Sequence, residues 1–156
     1  MKKVVLIAVM AFIGYSAAAQ GEFRAGVSAG LPTGNLGDWY SFAASVDTEY
    51  TWSVSDNFRA GAATGYTHYF GSDGAGDFKY APIAAVASFQ ISDGWYFDAQ
   101  GGYAISLNVG GSGDLYFRGS IGYDVSSTIR LRGGYRGVSG NGSTLGDAHL
   151  GLIATF

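Results

Sequence analysis

The stretch Trp95-Tyr96-Phe97-Asp98-Ala99-Gln100-Gly101-Gly102-Tyr103-Ala104-Ile105-Ser106-Leu107-Asn108 decides the fold. Successive side chains of a strand point to opposite faces, so a period of two divides a strand into two surfaces. Trp95, Phe97, Ala99, Gly101, Tyr103, Ile105 and Leu107 share one face, while Tyr96, Asp98, Gln100, Gly102, Ala104, Ser106 and Asn108 share the other. The split recurs from residue 22 to residue 156, and Arg24, Arg59, Arg118, Arg130, Arg132 and Arg136 always fall opposite the apolar row. A charged face backed by a continuous apolar face suits a transmembrane β-barrel, with lipid outside and polar groups within.

Turn signals divide the chain at intervals of roughly ten to sixteen residues, a spacing that fits an all-β protein. Short connections at Ser55-Asp56-Asn57, Ser92-Asp93-Gly94 and Ser126-Ser127-Thr128 alternate with longer ones at 32–38, 71–77, 109–114 and 138–146. Four long loops and three short turns predict eight strands, at 22–31, 39–54, 57–70, 78–91, 95–108, 115–126, 129–137 and 147–156. Both termini then lie at the short-turn end. An internal echo supports the division: Phe23-Arg24-Ala25-Gly26 opens the first strand and Phe58-Arg59-Ala60-Gly61 the third. Such fixed-period similarity marks a repeated unit, here a hairpin.

Residues 1–19 read as a signal peptide: Lys2 and Lys3, an apolar run from Val4 to Ile13, then Ser16, Ala17, Ala18 and Ala19. The Ala17-x-Ala19 pattern predicts cleavage before Gln20 and a single barrel domain over 20–156. The apolar run is too short for a convincing membrane-spanning helix. Losing the two leader lysines leaves seven basic against twelve acidic groups, a formal charge of −5. With one remaining lysine, Lys79, the chain has no electrostatic footprint for nucleic acid. The absence of cysteine excludes a disulfide framework and thiol chemistry.

Periodicity alone leaves open which face is inside, and a soluble barrel of lipocalin type would turn its apolar face inward. Aromatic placement decides for the membrane. Trp52, Phe58, Phe89, Trp95, Phe97, Tyr123 and Phe156 fall near the short-turn end, and Phe42, Phe70, Phe78 and Phe117 near the long-loop end. Two such bands match the interfacial girdles of a membrane barrel.

The chain ends in Phe156, with Ala154, Leu152 and Leu150 on the same parity. In this it resembles the small eight-stranded outer-membrane barrels of the OmpA and OmpX type from Gram-negative bacteria. The resemblance implies an antiparallel up-and-down barrel in the cell outer membrane, and an assembly signal at Leu150, Leu152 and Phe156 read by the barrel-assembly machinery. It also implies contact with outer-membrane lipids and lipopolysaccharide, in a monomer without cofactor or metal.

The inward row holds the six arginines with Asp47, Glu49, Asp98, Asp124 and His149. Unpaired buried charges are costly, so these groups are expected to pair across the lumen. A plugged barrel with a structural or surface-interaction role follows. The alternatives are a narrow porin-like pore for ions or small solutes and a lipid-acting enzyme. For the enzyme only His68 and His149 could serve as a base, without a partner at recognisable spacing. His68 is expected on the outer surface and His149 as a hydrogen-bond partner inside. The loop acids Asp38, Asp73, Asp77 and Asp114, with Asp147 at the start of the last strand, could hold divalent cations against lipid phosphates, but the 73–77 stretch is too sparse for a dedicated calcium loop and solvated loop acids are the commoner case. Asn141-Gly142-Ser143 fits the glycosylation sequon.

Overall fold

The computed structural model describes residues 21–34, 37–72, 74–108 and 113–156, so the expected leader with its cleavage site and the loop acid Asp73 lie outside the described residues. Eight antiparallel strands run β1 (Gly21–Thr33), β2 (Tyr40–Ser55), β3 (Phe58–Gly71), β4 (Phe78–Ser92), β5 (Trp95–Ser106), β6 (Asp114–Asp124), β7 (Ile129–Gly140) and β8 (Ser143–Thr155). They close in sequence order, and β8 returns to β1 over a register from Arg24↔Thr155 to Thr33↔Gly146. Closure leaves no unpaired strand edge, which a chain in lipid requires.

Parity sorts the side chains as alternation demands. Val27, Leu31, Ile83 and Leu150 are 58%, 69%, 61% and 61% exposed, whereas Arg24, Glu49, Arg132 and Arg136 are 2%, 1%, 3% and 0% exposed. A soluble barrel would show the reverse, so the lipocalin-like alternative fails. At the short-turn end, rings pair outside the wall as Phe23–Phe156, Phe58–Phe89 and Trp95–Tyr123. At the other end Phe42 stacks on Phe70 at 4.2 Å, and Phe70 on His68 at 4.0 Å.

Three expectations need correction. The fourth long loop does not exist: β7 continues to Gly140, β8 begins at Ser143, and Asn141 (φ 51) and Gly142 (φ 79) form the whole connection. Two consecutive positive φ angles suit the Asn-Gly pair of a tight hairpin, and the sequon asparagine is the turn itself. Phe78 is no girdle residue. It shares the inward parity of Tyr80 and packs against the buried core. Asp147 does not begin the last strand beside the loop acids: β8 starts four residues earlier, at Ser143, and carries Asp147 into the lumen at 0% exposure.

Candidate functional site

The lumen is built in three layers. Nearest the termini, Glu22 accepts from Arg24 Nε at 3.0 Å and from Arg59 Nη2 at 2.8 Å. Arg130 donates from Nε to Asp124 Oδ1 at 2.7 Å while its guanidinium lies 3.4 Å from the centre of the Tyr96 ring. These groups line a polar cavity of about 240 Å³ that also reaches the short turns at Asn57 and Thr128.

The middle layer crosses the barrel. Arg118 on β6 donates to Asp47 on β2 at 3.0 Å, and these strands stand opposite in the closed order. Arg118 also donates from Nε to His149 Nε2 at 3.1 Å. From β7, Arg132 reaches Glu49 with Nη1 and lies 3.5 Å from Asp47 with Nη2. Gln100 on β5 donates to the same Glu49 at 2.8 Å. Arg136 pairs with Asp147 at 2.8 Å and donates to Ser45, while Tyr69 donates to Asp147 at 2.5 Å. Register explains the division of labour. Arg118 and Arg136 face each other across β6 and β7, so each takes its own carboxylate, Arg136 from its neighbour Asp147 on β8 and Arg118 from Asp47 across the bore.

The outer layer is apolar. Ala43, Tyr69, Tyr80, Ala84, Ala104, Tyr116, Val138 and Leu145 form one buried cluster, with Tyr40 and Phe78 packed onto it from the long-loop side. The tyrosine rings span the bore, and Tyr116 donates its hydroxyl down to Gln100 Oε1 at 3.2 Å. Aromatic rings thus cap the charges and exclude the water that would otherwise screen them.

Eleven residues were singled out in the sequence for the lumen, and the structure divides them. Asp47, Glu49, Arg118, Arg132, Arg136 and His149 meet in the middle layer, while Arg24, Arg59, Asp124 and Arg130 line the terminal cavity. Asp98 is buried at 2% exposure yet makes no ion pair among the described residues, and its cross-strand neighbours are Ser88 and Ser120. Sequence reasoning missed Glu22, Gln100 and Asp147, each of which shares a parity with a residue it did identify. It also missed Tyr69, Tyr80 and Tyr116, since tyrosine on an inward parity carries no signal of its own.

Outside the wall lies one histidine–carboxylate pair. His68 Nε2 is 2.9 Å from Asp77 Oδ2 and its Nδ1 is 3.4 Å from the Tyr66 hydroxyl. The Gly71 N–H donates to Asp77 Oδ1 at 3.1 Å. That amide first, and His68 second, hold the Asp77 carboxyl below the usual carboxylate range. No cluster of three potential metal ligands occurs among the described residues. Leu150, Leu152 and Phe156 all lie on the exposed face, at 61%, 49% and 78% exposure.

The structure defines the class: a small, closed, eight-stranded barrel with an apolar exterior and a charged interior. No protein-family profile matches the chain, and neither does any curated protein sequence. Solved structures do match. Ail, the attachment invasion locus protein of Yersinia pestis, superposes with a TM-score of 0.61 at 13% identity, over 88% of this chain and 98% of that one. Neisserial surface protein A gives 0.56 at 19% identity, over 87% and 97%. The N-terminal β-barrel domain of Pseudomonas aeruginosa OprF gives 0.50 at 15% identity, over 88% and 100%. The fold is that of the small outer-membrane barrels of the OmpA and OmpX type.

Proposed function

We propose that this chain is a non-enzymatic outer-membrane barrel whose lumen is plugged and whose outer end serves surface interaction. In this reading residues 1–19 are removed on export, and residues 20–156 insert as a monomer through the barrel-assembly machinery, with Leu150, Leu152 and Phe156 as its signal. The exterior rests against outer-membrane lipid and lipopolysaccharide. One observation carries the plug: the Arg118–Asp47 pair, 3.0 Å long and spanning opposite walls, lies beneath a buried cluster of tyrosine rings and aliphatic side chains. A conducting path would have to break both layers.

Planar-bilayer recording of the refolded 20–156 chain tests this reading. A plug gives no steady openings, and Arg118→Ala lowers the unfolding midpoint without opening the lumen. Steady wild-type openings whose selectivity follows Arg118→Ala would transfer the assignment to the narrow pore. Ail has been solved in complex with the heparin analogue sucrose octasulfate, a polyanion. That preference does not carry over on charge, because the outer end here bears Asp38, Asp77 and Asp114 and its one lysine, Lys79, lies on the outer wall.

A further inference from the structure

Above the aromatic layer the barrel mouth holds a pocket of about 140 Å³ that opens toward the long loops. Its floor is Val138 and Leu145, which are register partners on β7 and β8 and are 5% and 4% exposed. Its walls are two rings, Tyr40 and Phe78. Both are held from below, since Tyr40 meets Tyr69 edge-on at 5.6 Å and Phe78 lies 5.8 Å from Tyr80. The walls are therefore set before any ligand arrives.

Of the residues that line it, Asp114 alone is charged. The Asp114 carboxylate packs against Gly140, where an added Cβ would collide with Oδ1. The Asp114 backbone pairs with Ala104 on β5, and among the described residues its carboxylate has no side-chain hydrogen bond or ion pair. No basic side chain is placed to neutralise it. The six arginines belong to the two layers below, while His68 and Lys79 face each other across β3 and β4 on the outer wall. An uncompensated carboxylate beside two ring faces and an aliphatic floor suits one ligand chemistry. The carboxylate and the negative ring faces attract a cation, and the floor takes its carbon substituents.

We propose that this mouth pocket binds a small organic ammonium ion through Asp114, Tyr40 and Phe78. The proposal rests on the surface-interaction reading only for its orientation toward the outside. Binding in micelles and closure of the lumen are measured separately, so either can fail without the other.

The test uses the folded chain in octyl glucoside micelles, which carry no ammonium group, with choline as the probe. The methyl signals of Val138 and Leu145 report occupancy. Choline should shift them saturably, and its uncharged isostere 3,3-dimethyl-1-butanol should bind about tenfold more weakly or less. Asp114→Asn should weaken choline by about tenfold and leave the neutral isostere unchanged. Gly140→Ala, which pushes the carboxylate aside, should act in the same direction. Glycerophosphocholine separates the two sources of such a group: weaker binding than choline indicates a free ammonium ion, and equal or tighter binding a lipid headgroup. Equal affinity for choline and its neutral isostere would overturn the proposal. So would an Asp114→Asn variant, shown to be folded by its gel shift on heating, that binds choline as wild type does.

Discussion

Arg136 and Asp147 are direct register partners on β7 and β8, and their 2.8 Å ion pair is 0% exposed on both sides. A pair so fully removed from water is stable only if its remaining lone pairs and protons are used. Here Tyr69 and Ser45 supply two of those bonds from the opposite half of the barrel, while Arg136 Nη2 and Asp147 Oδ1 stay without a hydrogen-bond partner among the described residues. The pair therefore ties β7 and β8 to β2 and β3 and sets the floor of the aromatic layer.

Removing one member should be costly. Asp147→Ala leaves Arg136 buried without its counter-ion, and breaking such a pair destabilises by about 3–5 kcal/mol. The double variant Arg136→Met with Asp147→Ala should recover a large part of that loss, because no orphan charge remains. Urea unfolding of the refolded barrel checks both. A double variant no better than Asp147→Ala would show that hydrogen bonding, and not charge, dominates the site.

The outward face gives a test of a different kind. Leu152 pairs with Val27 on one side and Leu131 on the other, so three apolar side chains meet lipid at one height. Leu152→Arg places a guanidinium in that band, at a cost of about 2–4 kcal/mol near the midplane. Outer-membrane yield should fall while export continues. Polar replacement of Phe156, which rests against Phe23 outside the wall, should slow insertion with a smaller effect on the final stability.

Much of this architecture was legible because a period of two is a strong signal over many residues. The arginines, Asp47, Glu49 and the aromatics beside the termini all stand on the expected face. What escaped were features that need register. Asp98 has the right parity and lies within electrostatic reach of Arg24 and Arg132, yet its cross-strand neighbours are Ser88 and Ser120 and it closes no ion pair among the described residues. Asp147 reads from the sequence as the very start of the last strand, at the loop end, because the preceding glycines suggest a long connection. The structure instead uses Asn141-Gly142 as a tight turn, and the extra ladder from Val138↔Leu145 to Gly140↔Ser143 extends the β7–β8 hairpin through what the sequence suggested was a loop. Phe78 misled for a related reason, since ring placement by height says nothing about which side of the wall a ring occupies.

The turn itself is testable. Both Asn141 and Gly142 have positive φ, and an L-residue with a side chain pays about 1–2 kcal/mol to adopt that region unless it is asparagine or aspartate. Gly142→Val should lower stability by about that amount and loosen the ladder between Ser139 and Thr144. Asn141→Asp should be nearly neutral. Hydrogen exchange of the amides flanking the turn distinguishes the two: rapid exchange in Gly142→Val alone is expected, and equal protection in both would remove the turn from the list of structural determinants.

The Asp77 carboxylate makes the loop after β3 sensitive to acid. Its oxygens accept from the Gly71 N–H at 3.1 Å and meet His68 Nε2 at 2.9 Å, and its pKa lies below the usual carboxylate range. A group whose folded pKa is depressed favours the ordered loop above its unfolded pKa. That contribution fades as pH falls toward the folded value and is gone below it. The Gly71 amide should therefore hold a constant chemical shift down through the ordinary carboxylate range. It should move only at more acidic pH, where Asp77 gains its proton. Asp77→Asn should give a Gly71 amide with no such titration and faster exchange at every pH. A midpoint at or above the ordinary carboxylate value would mean that Asp77 is free in solution, and that the anchor holding the loop against β3 must be sought elsewhere.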